Sequence, residues 1–233
     1  MKTIVITGGS DGLGKELAKV LAKENKVIIL ARESEHLMLA AKEIGCEYVV
    51  CDIARIEDVK AAFENIFKKN KKVDCLINNA GVWLQGNVED NTYEMIKNVI
   101  DVNIFGTIAC TKAVLSHMKK NNAGQIININ SMSCMDREEY APVYGATKTA
   151  SFAFRERIQN DLAKHNIRIT DVCPGLMKTD LFKKQGNIIP KAIMDKTGLD
   201  VAVVSMEIKK IIDSDPIVWK PVVAIKHAKN IIN

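Results

Sequence analysis

Short apolar runs alternate with longer amphipathic segments along almost the whole 233-residue chain, and few folds accommodate that rhythm. Runs of strand length lie at residues 3–6, 27–30, 48–51, 75–77, 125–129 and 168–172, with a weaker one at 222–225. Several are nearly continuous in Val, Ile or Leu, the pattern of parallel strands covered on both faces. Residues 14–24, 34–44, 56–69, 92–120 and 143–165 read as helices. Strand–helix–strand repetition predicts an α/β architecture, a parallel sheet between two helical layers joined by right-handed crossovers. No linker, low-complexity tract or repeat interrupts the pattern, so residues 1–233 read as a single domain. The 47% apolar content suffices to fill a core of that size.

The first apolar run leads directly into Thr7-Gly-Gly-Ser-Asp-Gly-Leu-Gly14, which opens the first helix. Glycines at 8, 12 and 14 permit a tight turn and let the backbone approach a pyrophosphate. The N–H groups and dipole of the helix N-terminus then favour the anion. Placement between strand and helix makes a dinucleotide loop credible, the alternative being a Gly-rich turn without ligand. The second run ends at Ala31-Arg32. Folds that grip the ribose of NAD usually place an acid here, whereas Ala31 carries no carboxylate and Arg32 suits the 2′-phosphate of NADP. Asp11 and Glu33 offset part of that attraction, and the alternative role for Arg32 is a solvated strand-end charge. NADP is expected, with NAD as the alternative.

Tyr144 and Lys148 stand four residues apart on a helical segment, which puts both on one face with about 5–6 Å between Cβ atoms. An ammonium near a phenol favours the phenolate and lowers the phenol's pKa from about 10. A tyrosine so placed can exchange protons near neutral pH.

Together these stretches resemble the short-chain dehydrogenase/reductase family, from Thr3 to about Thr179. The family's Thr-Gly-x-x-x-Gly-x-Gly is matched by Thr7, Gly8, Gly12 and Gly14, with Ser10 and Leu13 inside the loop. Its acid after the third strand is Asp52, followed by Ile53, and its Asn-Asn-Ala-Gly is unaltered at Asn78, Asn79, Ala80 and Gly81. Its helix asparagine corresponds to Asn103, before Gly106, and its serine, thirteen positions before the tyrosine, to Ser131. The Tyr-x-x-x-Lys pair is Tyr144 and Lys148, and Pro-Gly-x-x-x-Thr reads Pro174, Gly175 and Thr179.

The resemblance implies a three-layer, doubly wound Rossmann fold and reversible hydride transfer between a nicotinamide and a small carbonyl or alcohol substrate. It implies cofactor contacts from Thr7, Gly8, Ser10, Gly12, Leu13, Gly14, Arg32, Asp52, Ile53, Asn79, Ala80, Gly81, Tyr144, Lys148, Pro174, Gly175 and Thr179. The implied catalytic set is Asn103, Ser131, Tyr144 and Lys148. Tyr144 would exchange the proton, and Lys148 would hold the nicotinamide ribose while keeping the phenol acidic. Ser131 would bind the substrate oxygen, and Asn103 would hold a water linking Lys148 to solvent. Family members commonly pair through the region of residues 143–165, implying a homodimer or homotetramer. The alternative is a non-catalytic dinucleotide sensor or scaffold with the same fold. Two departures stand out: Asn130 replaces a frequent serine, and the part after Thr179 is short and withholds the substrate.

Other features narrow the partners. The net charge of +5 is scattered, and its densest group (Lys68, Lys69, Lys71, Lys72) reads as a solvated helix end, which argues against nucleic acid. A strand beginning at once leaves no room for a signal peptide, and no uninterrupted apolar run reaches membrane-spanning length. Six cysteines without CxxC or metal spacing suggest a reducing cytoplasm, with neither disulfides nor a metal site. Cys134, just after Ser131, is either reactive or an inert neighbour. Ser133 lies two residues too near Tyr144 for the catalytic role, and His36, His117, His165 and His227 fall outside the motifs. Residues 176–199 read either as a mobile substrate cover or as a surface loop. Pocket-lining residues are expected within 83–87, 134–140 and 176–197, where inward-pointing Glu138 and Glu139 would disfavour a strongly anionic substrate.

Overall fold

The computed structural model describes residues 1–32, 34–136, 141–181 and 189–230. Strands β1 (Thr3–Thr7), β2 (Lys26–Ala31), β3 (Glu47–Val50), β4 (Cys75–Asn78), β5 (Gly124–Ile129), β6 (Ile167–Pro174) and β7 (Val222–Ile225) form one sheet in the order β3-β2-β1-β4-β5-β6-β7. Every pairing is parallel. The chain winds outward from β1 to β3, returns to the other side of β1 and continues to β7. That reversal between β1 and β4 opens a crevice beyond the carboxyl ends of the strands. The expected Rossmann architecture is the one observed.

Alternate strand residues serve opposite faces. Ile4, Ile6, Ile29 and Ile77 meet helices α1 (Gly12–Leu21), α2 (Ser34–Ile44) and α8 (Val201–Asp213) through Leu17, Leu37 and Ile208. Val5, Ile28, Leu30 and Leu76 meet α3 (Ile56–Lys69), α5 (Thr107–Lys120) and α6 (Pro142–Ala163) through Phe63, Val114 and Leu162. Full burial of one such side chain is worth about 1.5–3 kcal/mol. The helices start where the sequence supplies caps: Asp11 for α1, Asp200 for α8, and Pro142 at the first position of α6. Glu57 and Asp58 open α3 and Lys68 and Lys69 close it, each complementing the helix dipole.

Two stretches differ from the sequence reading. Residues 92–120 divide into α4 (Tyr93–Ile100), a π turn (Asp101–Gly106) and α5. Taken as one 28-residue helix, Tyr93–Lys120 is long and apolar enough to cross a membrane, a length the interrupted apolar runs concealed. Half of its apolar window is buried, and Val102, Cys110, Val114 and Met118 belong to the core under the sheet. Lys191–Thr197, without visible periodicity, forms a short helix, α7. Such a turn-length helix shows too few residues of any one face to declare itself.

Candidate active site

The crevice is built from the ends of β1 and β4. Gly8 and Gly12 adopt φ of 66° and 52°, and the Asp11 Oδ1 accepts the Gly12 N–H at 2.7 Å. A Cβ on Gly14 would lie 2.1 Å from the Gly8 carbonyl oxygen and 2.5 Å from Asn79 Nδ2, so only glycine fits. Asn79 straps the loop down, Nδ2 donating to the carbonyls of Thr7 (3.0 Å) and Gly8 (3.1 Å). In return, Thr7 Oγ1 accepts the N–H groups of Asn79 and Ala80 at 3.0 and 3.1 Å. The result is a stiff cradle at the α1 N-terminus, whose first-turn N–H groups have no intrahelical partner and favour an anion. A cavity of about 400 Å³ opens over it, with Arg32 and His36 on the wall beyond β2 and Asp52 beyond β3. A backbone cradle, a cationic end and a carboxylate fit a dinucleotide laid across the switch point.

Tyr144 and Lys148, both buried, occupy successive turns of α6 on the opposite wall. Lys148 Nζ lies 5.7 Å from the Tyr144 ring centroid and donates to the Ile129 carbonyl at 3.0 Å. Burial lowers the Lys148 pKa to about 8, although the neighbouring Cys134 and Asp171, when ionised, favour its protonated form. Trp83 meets Tyr144 edge-on, ring centroids 6.5 Å apart, and Leu181 packs against the cluster these two form with Ala141. Ser131 follows β5 and caps a single 3₁₀ turn, Met132–Cys134. Its Oγ accepts the Ser133 N–H at 3.1 Å and donates to Ser133 Oγ at 3.0 Å. Asn103 sits in the π turn, where its amide accepts from Val82 N (2.9 Å) and donates to Val82 O (2.9 Å) and Thr147 Oγ1 (3.1 Å). Beneath this layer, Asp171 accepts from Asn128 Nδ2 (2.9 Å) and from Arg155 Nε (3.3 Å). Burial pushes Asp171 up to about 6 even though both partners pull it down. A buried amine that titrates near neutrality beside a phenol is an arrangement for moving a proton.

A family model described as short chain dehydrogenase matches residues 2–188. The chain belongs to the short-chain dehydrogenase family. It is similar to an uncharacterized oxidoreductase of Staphylococcus saprophyticus, 33% identical over 187 residues that cover 77% of this chain and 80% of that one. It is also similar to carbonyl reductase family member 4 of Xenopus laevis, 32% identical over 182 residues and 77% of each chain. Among solved structures, the 3-ketoacyl-(acyl-carrier-protein) reductase of Brucella melitensis, complexed with NADH, superposes with a TM-score of 0.90 at 26% identity and 98% coverage of both chains. Membership places the protein among oxidoreductases that act on CH–OH and C=O groups.

In this short-chain dehydrogenase one cavity gathers Gly8, Ser10, Gly12, Leu13, Arg32, Asp52, Ile53, Asn79, Ala80, Gly81, Tyr144, Lys148 and Thr179. Thr7 and Gly14 stand behind the wall and shape it. Asn103 and Ser131 flank it, and Pro174 and Gly175 are held off it by β7, the Gly175 N–H donating to the Ile225 carbonyl at 2.9 Å. The segment after Gly175 turns back over the glycine loop. Met177 bridges to Leu199, and a Cβ on Gly12 would lie 3.6 Å from Thr179 Cγ2. Met177, Asp180 and Leu181 line it from within the expected stretch 176–197, whereas His36, Asn98 and Asn130 are unforeseen wall residues. His36 falls outside the motifs, yet its nearness to Arg32 in sequence is a usable signal. Asn98 comes from α4 and has none. The expectations for Glu33, for residues 137–140 with Glu138 and Glu139, and for residues 182–188 lie outside the described residues.

Proposed function

We propose that this chain is a single catalytic unit that transfers hydride reversibly between NADP(H) and a carbonyl or alcohol carbon. One observation carries the reading: the buried Tyr144–Lys148 pair and the strapped glycine cradle wall the same cavity. Bound there, the dinucleotide supplies the hydride. The N–H groups at the start of α1 hold its phosphates, and Arg32 supplies a planar cation for a 2′-phosphate. Tyr144 gives its proton to the substrate oxygen during reduction and takes it back during oxidation, with Lys148 as the neighbouring charge that keeps the phenolate accessible. Ser131 turns its hydroxyl from Ser133 to that oxygen and stabilises the developing charge. Asn103 acts by position: its amide is committed to Val82 and Thr147, and its main-chain carbonyl accepts the Thr107 hydroxyl at 3.0 Å.

An NADPH-oxidation screen over aldehydes, ketones, quinones, sugars and oxoacyl thioesters would identify a substrate. Tyr144→Phe keeps most of the ring's packing and removes the transferable proton. Turnover on that substrate should fall by a factor on the order of 10²–10⁴ while dinucleotide affinity is retained. Turnover equal to wild type would remove the mechanism.

A further inference from the structure

Two cysteines that the hydride-transfer chemistry does not use meet beside the cavity. Cys134 closes the 3₁₀ turn that Ser131 caps, and Cys173 lies near the end of β6, immediately before Pro174 and Gly175. Thirty-nine positions apart in sequence, their Sγ atoms are 3.7 Å apart. The other four cysteines pack into the two cores: Cys46 and Cys75 on one face of the sheet, Cys51 and Cys110 on the other. Cys134 is half-buried, whereas Cys173 is fully buried and shielded from solvent. We propose that this pair is a redox modification site, in which a peroxide converts Cys134 and Cys173 into a reversible disulfide.

The asymmetry of the pair sets the order of events. A hydrogen bond from Cys173 holds the Cys134 thiol below its ordinary value, and the same contact with burial pushes Cys173 above it. The more exposed, more acidic thiol is the one a peroxide reaches. Cys134 sulfur attacks the O–O bond of hydrogen peroxide, giving a sulfenic acid and one water. Cys173 sulfur then displaces the hydroxyl from Cys134 sulfur, and its proton leaves with that hydroxyl as a second water. Two thiols and one peroxide become one disulfide and two waters, the peroxide being the two-electron oxidant. Bond formation needs the sulfurs to close from 3.7 Å to about 2.05 Å. The single 3₁₀ turn carrying Cys134, with Cys134 N–H on Ser131 O at 3.2 Å and Met135 N–H on Met132 O at 2.8 Å, is the mobile side of that closure. β6, paired on both edges, is the fixed side.

The test is a peptide map of the full-length protein, independent of any turnover assay. Reduced protein is freed of reductant, treated with hydrogen peroxide, alkylated under denaturing conditions and digested without reductant. Mass spectrometry should find the Cys134 and Cys173 peptides joined, lighter than their sum by two hydrogens, and separated again by dithiothreitol. In Cys173→Ser the Cys134 sulfenic acid should persist long enough for dimedone to capture it. Wild-type protein in which both thiols still alkylate after peroxide, or in which Cys134 joins any other cysteine, would overturn the proposal.

Discussion

Among the described residues, Arg32 is the one planar cation on the cavity wall, so the cofactor preference concentrates there. A hydrogen bond to a charged group contributes about 1.5–3 kcal/mol, or roughly 10- to 150-fold in affinity. Arg32→Ala should therefore weaken NADPH binding by about that factor and leave NADH nearly unchanged, as titration of the two dinucleotides would show. Equal effects on both would return Arg32 to the role of a solvated strand-end charge. Other residues at this scale work through the backbone. Gly14 permits the contact between the Gly8 carbonyl and Asn79, and Thr7 contributes a hydroxyl that never reaches the cavity.

Among the elements, the π turn at Asp101–Gly106 has the largest consequence for the site. An extra residue in the turn places Asn103 where its amide takes both backbone groups of Val82, one residue beyond Gly81, and also reaches Thr147 on α6. One side chain thereby couples the α4–α5 helix, the loop after β4 and the helix bearing Tyr144. Asn103→Ala would strand the part-buried N–H and C=O of Val82, at about 1–3 kcal/mol each. Urea unfolding without dinucleotide should show a loss of about 2–6 kcal/mol; an unchanged midpoint would mean that the clamp holds nothing. The segment after β6 is the second such element. Leu176 and Lys178 exchange backbone hydrogen bonds with Leu199, of 2.8 and 2.9 Å, and these pin the start of the expected cover to the chain entering α8.

At the scale of the molecule, two buried ionisable groups set opposite pH trends. Asp171, raised to about 6, contributes stability that is complete below about 3.8 and lost as pH rises through 6. Lys148, lowered to about 8, behaves in reverse: stability is penalised below 8 and recovered as pH climbs toward 10.5, where the unfolded chain also loses the proton. The cysteine thiols raised by burial oppose that recovery above pH 9, so the informative quantity is a difference between variants. Lys148→Met keeps the apolar stem and removes the charge. The variant should be more stable than wild type at pH 7, and its advantage should shrink between pH 8 and 10.5 as measured by urea unfolding. A gap that is constant across that window would place the Lys148 charge outside the folding balance.

The fold class was legible in the chain because it depends on a local signal, the alternation of apolar runs with amphipathic helices, that each segment carries by itself. Most of the cavity wall was legible for a similar reason: residues that follow the carboxyl ends of parallel strands converge, wherever the strands stand in the order. What local pattern could not express is adjacency across the sheet. Only the pairing of β5 with β6 brings Cys134 within 3.7 Å of Cys173, and only packing of α6 on β6 sets Arg155 against Asp171. The strap of Asn79 on the glycine loop and the clamp of Asn103 on Val82 arise in the same way. Such contacts depend on strand register and helix docking, which the whole set of buried side chains decides jointly and no single stretch of sequence records.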